Sequence, residues 1–260
     1  MMVSNDKIAL ISGGLGDIGR AIAMLFARQG MRVAIIDLIN ENEAALLMEE
    51  MNKGGYDIWY KQVDITNETA VAEWIDAVEK KWGVPQIIVP NAGIVVGGSL
   101  TNDDFTSDKM RKQLEVNFWG SYYLAVLSAK KMKAKGIPGR ITMIGSWAAE
   151  RPNARISAYC ISKAAVKMLC KTLALELAND DILVNDIALG IVKGGLSKKN
   201  QDKDPQLLQT HLNSIPTHKL VTVEEIAKHV LRMSDFEDMS ITGTTLVIDG
   251  GLSLTSKMTP

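Results

Sequence analysis

The chain has 260 residues, with 29 Lys or Arg against 30 Asp or Glu, so its formal net charge is -1. This balance gives no electrostatic reason to expect a nucleic acid or an anionic membrane as a partner. No apolar run approaches the roughly 20 residues that span a bilayer, and the first residues lack the basic and apolar stretches of a secretion signal. We therefore expect a cytoplasmic protein that acts on a small molecule.

The cysteines and histidines indicate neither a disulfide nor a metal site. Cys160 and Cys170 fall in one predicted helix, where ten residues separate them by about 15 Å, too far for a disulfide. We expect both to be reduced thiols. The chain's three histidines, His211, His218 and His229, have no ligand-like spacing, so we predict no bound metal.

Apolar runs and helical patterns alternate along almost the whole chain. Strands are predicted near Ile8–Ser12, Arg32–Ile36, Ile58–Val63, Gln86–Val89, Arg140–Ile144, Ile182–Ile187 and Thr245–Ile248. Several of these runs do not alternate with polar residues, which is typical of parallel strands covered by helices on both faces. No repeat or linker-like segment divides the chain. The sequence therefore predicts one α/β domain over residues 1–260.

Several helix boundaries are predicted by capping patterns. Asn40–Glu43 and Thr222–Glu225 both resemble capping boxes. Glycines stand where helices are expected to stop, at Gly30, Gly54, Gly83 and Gly136.

The one irregular stretch is Lys193–Val221. It begins with a polar, glycine-containing segment, and a short helix follows in which Asp204 is the expected cap and Pro205 the first residue. A long excursion in a tightly connected α/β chain often forms a lid over a binding site. A simple surface insertion is the alternative.

A glycine-rich turn links the first predicted strand to a helix expected over Arg20–Gln29. Gly14, Gly16 and Gly19 have the spacing that lets backbone amides approach a dinucleotide pyrophosphate at a helix N-terminus. An acidic side chain at Asp17 should weaken that binding, so we expect it to turn away and cap the helix.

Asp37 ends the second predicted strand, eighteen residues after Gly19. A carboxylate there can bind both hydroxyls of the adenosine ribose and would repel a 2′-phosphate. Leu38 and Ile39 offer no cation to offset the repulsion. The sequence thus favours NAD over NADP, the alternative being that Asp37 is merely solvated.

Tyr159 and Lys163 lie four residues apart, which places both on one face of a helix, and Ser146 ends a predicted strand thirteen residues upstream of Tyr159. Oxidation of an alcohol needs a base while hydride leaves for a nicotinamide. Lowering a tyrosine pKa from about 10 to about 7 takes roughly 4 kcal/mol of preferential phenolate stabilisation. The Lys163 ammonium and a positive nicotinamide are the expected sources.

Together these segments resemble the short-chain dehydrogenase/reductase family, from about Lys7 to Gly251. The residues that carry the resemblance are Ser12, Gly13, Asp17, Ile18, Gly19, Asn91, Ala92, Gly93, Asn117, Ser146, Tyr159, Lys163, Ile241–Gly243 and Asp249–Gly251. The resemblance implies a Rossmann-like three-layer αβα sandwich with a seven-stranded parallel sheet, usually assembled as a homotetramer or homodimer.

The resemblance also implies roles for individual residues. Asn117 would hold a water that links Lys163 to solvent, Ser146 would orient the substrate oxygen, and Lys163 would also hold the nicotinamide ribose. Further coenzyme contacts are implied at Gly13, Leu15, Gly16, Asp17, Ile18, Gly19, Asp37, Leu38, Asp64, Ile65, Asn91, Ala92, Gly93, Tyr159, Gly190 and Val192.

Three further positions depart from the family pattern. Pro90 replaces the first Asn of the usual Asn-Asn-Ala-Gly, Leu189 replaces a common Pro, and Gly194 stands where a Thr often contacts the nicotinamide carboxamide. We therefore expect these departures to affect how the nicotinamide is positioned.

The expected activity is hydride transfer between NAD and a secondary alcohol or a sugar or polyol hydroxyl, or the corresponding ketone. Trp147 is expected to form an apolar wall of the substrate pocket. Four residues are expected either to offer polar contacts there or to be solvated or at subunit contacts: Glu150, Arg151, Asn153 and Arg155. The alternatives are a 3-oxoacyl thioester reductase and a regulator that binds NAD(H) without turnover.

Overall fold

The computed structural model describes residues 7–197 and 203–255. Within these residues seven strands form one parallel sheet: β1 (Ile8–Ser12), β2 (Arg32–Asp37), β3 (Ile58–Gln62), β4 (Ile87–Val89), β5 (Gly139–Ser146), β6 (Ile182–Leu189) and β9 (Thr245–Ile248). Their order in the sheet is β3-β2-β1-β4-β5-β6-β9. The remaining strands, β7 (Val192–Lys193) and β8 (Val221–Thr222), pair with each other.

Helices connect the strands and cover both faces of the sheet. They are α1 (Asp17–Arg28), α2 (Glu41–Asn52), α3 (Glu68–Trp82), α4 (Ser107–Leu114), α5 (Gly120–Lys135), α6 (Ser157–Leu177), α7 (Pro205–Ser214) and α8 (Val223–Met233). A π-helical turn, Glu115–Trp119, joins α4 to α5. The predicted Rossmann-like αβα sandwich is therefore confirmed.

Two apolar cores lie on opposite faces of the sheet. One packs α3, α5 and α6 against the sheet, and the other packs α1, α2 and α8 against it. Successive residues of β1 enter different cores, Leu10 one and Ile11 the other, because strand side chains alternate between faces. This explains why the strand sequences are continuously apolar.

The predicted strands all form, with small differences at their ends. The largest is that β5 and β6 each extend two residues further, so that Ser146 pairs with Leu189. Since β1 pairs with both β2 and β4, the strand order reverses at β1. In α/β sheets, a crevice for ligands lies beyond the carboxyl ends of the strands at such a point.

The capping predictions are mostly confirmed. Thr222 and Glu225 form a reciprocal capping box at α8, and Asp204 caps α7 with Pro205 as its first residue. At α2 only half of the predicted box forms, because Asn40 accepts the backbone N–H of Glu43 and no reciprocal bond accompanies it in the described structure.

The predicted glycine stops are close to the observed helix ends. Gly83 and Gly136 directly follow α3 and α5, and Gly30 follows α1 by two residues. After α2 the left-handed residue is Gly55 (φ 72) instead of Gly54.

The excursion over residues 193–221 is closed at its base by the β7–β8 pair, in which Val192 lies opposite Val221 and Lys193 opposite Thr222. Helix α7 lies within the excursion. Residues 198–202 of the predicted lid lie outside the described residues.

Candidate active site

A cavity of about 670 Å³ opens at the carboxyl ends of the central strands. Nearly all the residues singled out from the sequence line it: Gly13, Gly16, Asp17, Ile18, Gly19, Asp37, Leu38, Asp64, Ile65, Asn91, Ala92, Gly93, Ser146, Tyr159, Lys163, Gly190 and Val192. Leu15 and Asn117 do not line it, and both are buried.

The glycine turn has one open position. A Cβ on Gly19 would lie 2.1 Å from the Gly13 carbonyl oxygen, and a Cβ on Gly14 would lie 2.4 Å from the Cβ of Ile35. At Gly16 the nearest atom is 3.4 Å away. Gly14 and Gly19 are therefore required by internal packing, while Gly16 faces the cavity. This open turn at the N-terminus of α1 fits a dinucleotide pyrophosphate.

The expectation that Asp17 caps α1 is wrong. Gly16 is the N-cap and makes no side-chain capping bond, and Asp17 is the first residue of the helix. Its carboxylate instead accepts the backbone N–H of Gly195 at 3.0 Å and an N–H of Arg20 at 3.3 Å. Asp17 thus joins the glycine turn to the start of the excursion.

Asp37 is held by backbone donors. Its carboxylate accepts the N–H of Leu15 at 3.1 Å and the N–H of Leu38 at 2.8 Å. Leu15 itself is only 4% exposed, so its part in the site is to orient Asp37. The carboxylate has acceptor capacity left for further donors, and Asp37 lines the cavity.

Ser12 and Asn91 fix the neighbouring strand ends. The Ser12 hydroxyl accepts the backbone N–H groups of Asn91 and Ala92, both at 3.1 Å. The Asn91 amide donates to the carbonyls of Ser12 at 2.9 Å and Gly13 at 3.1 Å. These bonds connect the glycine turn to the segment after β4. At Pro90 the carbonyl still accepts the N–H of Ile144 at 3.2 Å.

Sequence reasoning missed other parts of the cavity wall. The residues concerned are Ile36, Val63, Lys112, Val116 and Ile144. Lys112 and Val116 had a usable signal, because their four-residue spacing places them on one helix face just before Asn117. Most of the others are backbone or apolar contacts without a motif.

The candidate catalytic side chains converge as predicted. Ser146 ends β5, and Tyr159 and Lys163 lie one turn apart on α6. The Ser146 hydroxyl lies close enough to Tyr159 to lower the pKa of the phenol. The Lys163 ammonium donates to the Ile144 carbonyl at 2.7 Å and lies 5.7 Å from the centre of the Tyr159 ring.

The electrostatics of this group differ from the expectation of an acidic tyrosine. Burial raises the pKa of the Tyr159 phenol, and the nearby Ser146 hydroxyl opposes that rise. Burial also lowers the pKa of Lys163 to about 8, while the charge of Asp186 raises it. In the protein without its coenzyme, burial has the largest effect on the pKa of Tyr159, and the charge of Lys163 is not among the causes that lower it.

Asn117 lies in the π-helical turn and is fully buried. Its side-chain oxygen accepts the Ile94 N–H at 2.9 Å, and its amide donates to the Ile94 carbonyl at 3.1 Å and to the Ser162 hydroxyl at 3.0 Å. Asn117 therefore connects the segment after β4 to α6, directly beside Lys163. A water at this residue stays a prediction.

The residues expected to contact the substrate do not line the cavity. Trp147 packs against the apolar cluster of Ile191, Ile215 and Leu252 and does not line the cavity. The cavity is also not lined by any of the four predicted polar residues, Glu150, Arg151, Asn153 and Arg155. Glu150 pairs with Lys167, and Arg151 donates to the Leu252 carbonyl at 3.1 Å. Because none of these four side chains lines the cavity, the reason taken from the sequence for preferring a sugar or polyol is removed.

Comparison with known proteins identifies the family. A family profile described as Enoyl-(Acyl carrier protein) reductase matches residues 14–253. The chain belongs to the short-chain dehydrogenase/reductase family. Its members carry this fold, which binds a nicotinamide coenzyme, and the protein is accordingly an oxidoreductase.

Relatives of this short-chain dehydrogenase/reductase differ in activity. It is 31% identical over 247 residues to the 7alpha-hydroxysteroid dehydrogenase of Escherichia coli (strain K12), covering 95% of this chain and 94% of the relative. It is 29% identical over 251 residues to the 3-oxoacyl-(acyl-carrier-protein) reductase FabG of Buchnera aphidicola, covering 96% and 99%.

Among solved structures, the gluconate 5-dehydrogenase of Burkholderia cenocepacia, in complex with NADP and tartrate, superimposes with a TM-score of 0.88 at 29% identity, covering 96% of each chain. No helix in the described ranges of this chain is both long and apolar enough to cross a membrane.

Proposed function

We propose that the protein is an NAD-dependent dehydrogenase that oxidises a secondary alcohol, or reduces the corresponding ketone, by a Ser-Tyr-Lys mechanism. The observation that carries this proposal is the convergence of Ser146, Tyr159 and Lys163 on one cavity that also contains the oriented carboxylate of Asp37. The glycine turn and Asp37 would hold the pyrophosphate and the adenosine ribose, and Lys163 would hold the nicotinamide ribose.

Each catalytic side chain has a distinct task. Ser146 donates a hydrogen bond to the substrate oxygen and holds it beside the phenolate oxygen of Tyr159, which takes the alcohol proton and becomes the neutral phenol. The bound nicotinamide supplies the hydride acceptor. Burial of Tyr159 and Lys163 excludes water and strengthens the attraction between phenolate and ammonium. Lys163 thereby favours the ionised phenol once the coenzyme's positive charge adds to its own.

The predicted preference for NAD rests on the negative charge of one residue, Asp37. Asp37 would repel a 2′-phosphate, so calorimetry should show tighter binding of NAD than of NADP by about tenfold or more. Asp37→Asn keeps the shape of the side chain and removes its charge. It should lower the ratio of the NADP Kd to the NAD Kd by about tenfold. Asp57→Asn, an exposed change just before β3, is the matched control. Tighter binding of NADP by the wild type would contradict the assignment.

The substrate is proposed to have an apolar carbon frame. Ile94, Val192 and Leu196 line the cavity, and the relative named for a hydroxysteroid acts on an alcohol of this kind. The relative named for gluconate leaves sugar acids and polyols as the competing class. Reduction of NAD should therefore be followed with steroid alcohols, small cyclic alcohols, polyols and sugar acids. Turnover of the polyols or sugar acids alone would contradict the apolar frame.

A reductase for 3-oxoacyl thioesters is the second candidate. The similarity to FabG favours it, and the same three side chains would return a proton to the substrate oxygen during reduction. Oxidation of NADH by a 3-oxoacyl thioester, with no turnover of free alcohols, would establish this alternative. Coenzyme binding without turnover of any substrate in either direction would instead support the non-catalytic regulator.

A further inference from the structure

Strand β6 carries a buried carboxylate that the proposed hydride transfer does not use. Asp186 is 1% exposed. Within the described residues, neither of its side-chain oxygens accepts a hydrogen bond of ordinary geometry. The Thr245 hydroxyl is close enough to lower the pKa of the carboxyl, but it does not complete a well-formed bond. Such a group is costly in a protein interior unless a nearby positive charge compensates it.

The position of this carboxylate is set by the glycine before Ser146. A Cβ on Gly145 would lie 2.2 Å from the nearer oxygen of Asp186, so the carboxylate fills the space that a side chain at Gly145 would need. The Lys163 ammonium binds the carbonyl of Ile144 at 2.7 Å. Asp186 and Lys163 therefore contact the same peptide unit, Ile144–Gly145, which leads directly to Ser146.

The ionisable groups around Asp186 leave Lys163 as its partner. Helix α6 presents Lys163, Lys167 and Cys170, and Glu150 follows from the turn after β5. Lys167 is already paired with Glu150. Burial raises the pKa of the Cys170 thiol to about 12, so it is neutral. By contrast, Lys163 donates its hydrogen bond to the neutral carbonyl of Ile144, and that bond does not neutralise its charge.

The two buried groups act on each other in the expected directions. Burial raises the pKa of Asp186 to about 6, and the Lys163 charge opposes this rise. Burial lowers the pKa of Lys163 to about 8, and the Asp186 charge opposes this fall. At neutral pH each charge therefore favours the ionised form of the other.

We propose that Asp186 is a positioning residue for the reaction, whose buried carboxylate keeps the Lys163 ammonium charged beside Tyr159. Its consequence for catalysis rests on the proposed function, because a charged Lys163 matters only where Tyr159 must ionise. The coupling between Asp186 and Lys163 is a property of the folded protein and does not depend on turnover.

The first test measures that coupling without any substrate. At each pH of a titration, the infrared spectrum of Asp186→Asn is subtracted from that of the wild type. The difference isolates the absorption of the Asp186 carboxyl. The same difference is then collected in a Lys163→Met background, in which the buried carboxylate has lost its compensating charge. The Asp186 midpoint should rise by about one pH unit or more when Lys163 is removed. An unchanged midpoint would overturn the proposal.

The second test uses turnover of the complete enzyme with its coenzyme. In Asp186→Asn the Lys163 ammonium loses its stabilising charge and its pKa falls. The alkaline limb of the kcat profile should therefore move to lower pH by about one unit or more. Asp181→Asn, the same chemical change at the exposed residue before β6, should leave the profile in place. A uniform loss of kcat in Asp186→Asn, without movement of the limb, would show a merely structural role.

The two tests separate the two proposals. If the wild type turns over no alcohol, ketone or thioester, the proposed function fails while the infrared titration still decides the coupling. If turnover is found and the midpoint does not respond to Lys163→Met, the role of Asp186 fails alone. If Lys163→Met does not fold, the movement of the alkaline limb of the kcat profile in Asp186→Asn decides whether Asp186 acts on Lys163.

Discussion

Asp17 places a negative charge in the first turn of α1, beside the glycine turn proposed to receive the coenzyme phosphates. Its carboxylate is directed to the Gly195 N–H, 178 positions along the chain. Leu196, the next residue, lines the cavity. We propose that Asp17 fastens the start of a lid, residues 193–221, next to the site.

Asp17→Ala should loosen that attachment. The Gly195 amide would lose its acceptor, so its hydrogen exchange should become about tenfold faster or more. Exchange measured by mass spectrometry on the peptide containing Gly195 checks this. Asp108→Ala, in the first turn of α4, is the control and should leave that peptide unchanged. Equal protection in wild type and Asp17→Ala would show that the bond does not hold the segment.

At the scale of elements, the π-helical turn between α4 and α5 is the most consequential irregularity. It places Asn117 in the interior, where its side chain satisfies both backbone groups of Ile94 and bonds Ser162 on α6. An ordinary helical turn would carry the following residues at a different angle. The element therefore connects the cavity wall after β4 to the helix that bears Tyr159 and Lys163.

Asn117→Ala should destabilise the protein. Buried partners left without hydrogen bonds cost about 1–3 kcal/mol each, so we expect the free energy of unfolding to fall by about 2–5 kcal/mol. Denaturant titration measures the change. Asn42→Ala, at an exposed position in α2, should cost almost nothing. A loss below about 0.5 kcal/mol in Asn117→Ala, within the range of ordinary surface substitutions, would contradict the connecting role.

Features set by neighbouring residues were predictable from the sequence, and features set by distant partners were not. Strand β1, the glycine turn and the capping box at Thr222 are local patterns, and each forms as expected. Arg151 was expected to contact the substrate, but it donates to the Leu252 carbonyl instead. This partner lies 101 residues away in the chain, so no local pattern indicates it. Asp186 acquires its place from the pairing of β5 with β6, which no local pattern indicates.

At the scale of the whole molecule, we propose a single domain that assembles as a homotetramer or homodimer. Apolar side chains remain exposed on α6, among them Met168 and Leu175, the latter 83% exposed. Light scattering should give a mass two or four times 28.4 kDa. Leu175→Glu should reduce that mass if this face is covered by a second copy, whereas Leu46→Glu on α2 should not. A monomeric wild type at micromolar concentration would contradict the assembly.

In the proposed reaction the phenolate oxygen of Tyr159 takes the alcohol proton beside a bound nicotinamide. The most direct test of this step is the steady-state rate of NAD reduction by the best alcohol of the panel, in wild type and in Tyr159→Phe, with NAD affinity measured on the same samples. Loss of the proposed base should lower kcat by about a thousandfold, while NAD affinity stays within a few fold. A Tyr159→Phe variant that retains the wild-type rate would show that Tyr159 is not the base.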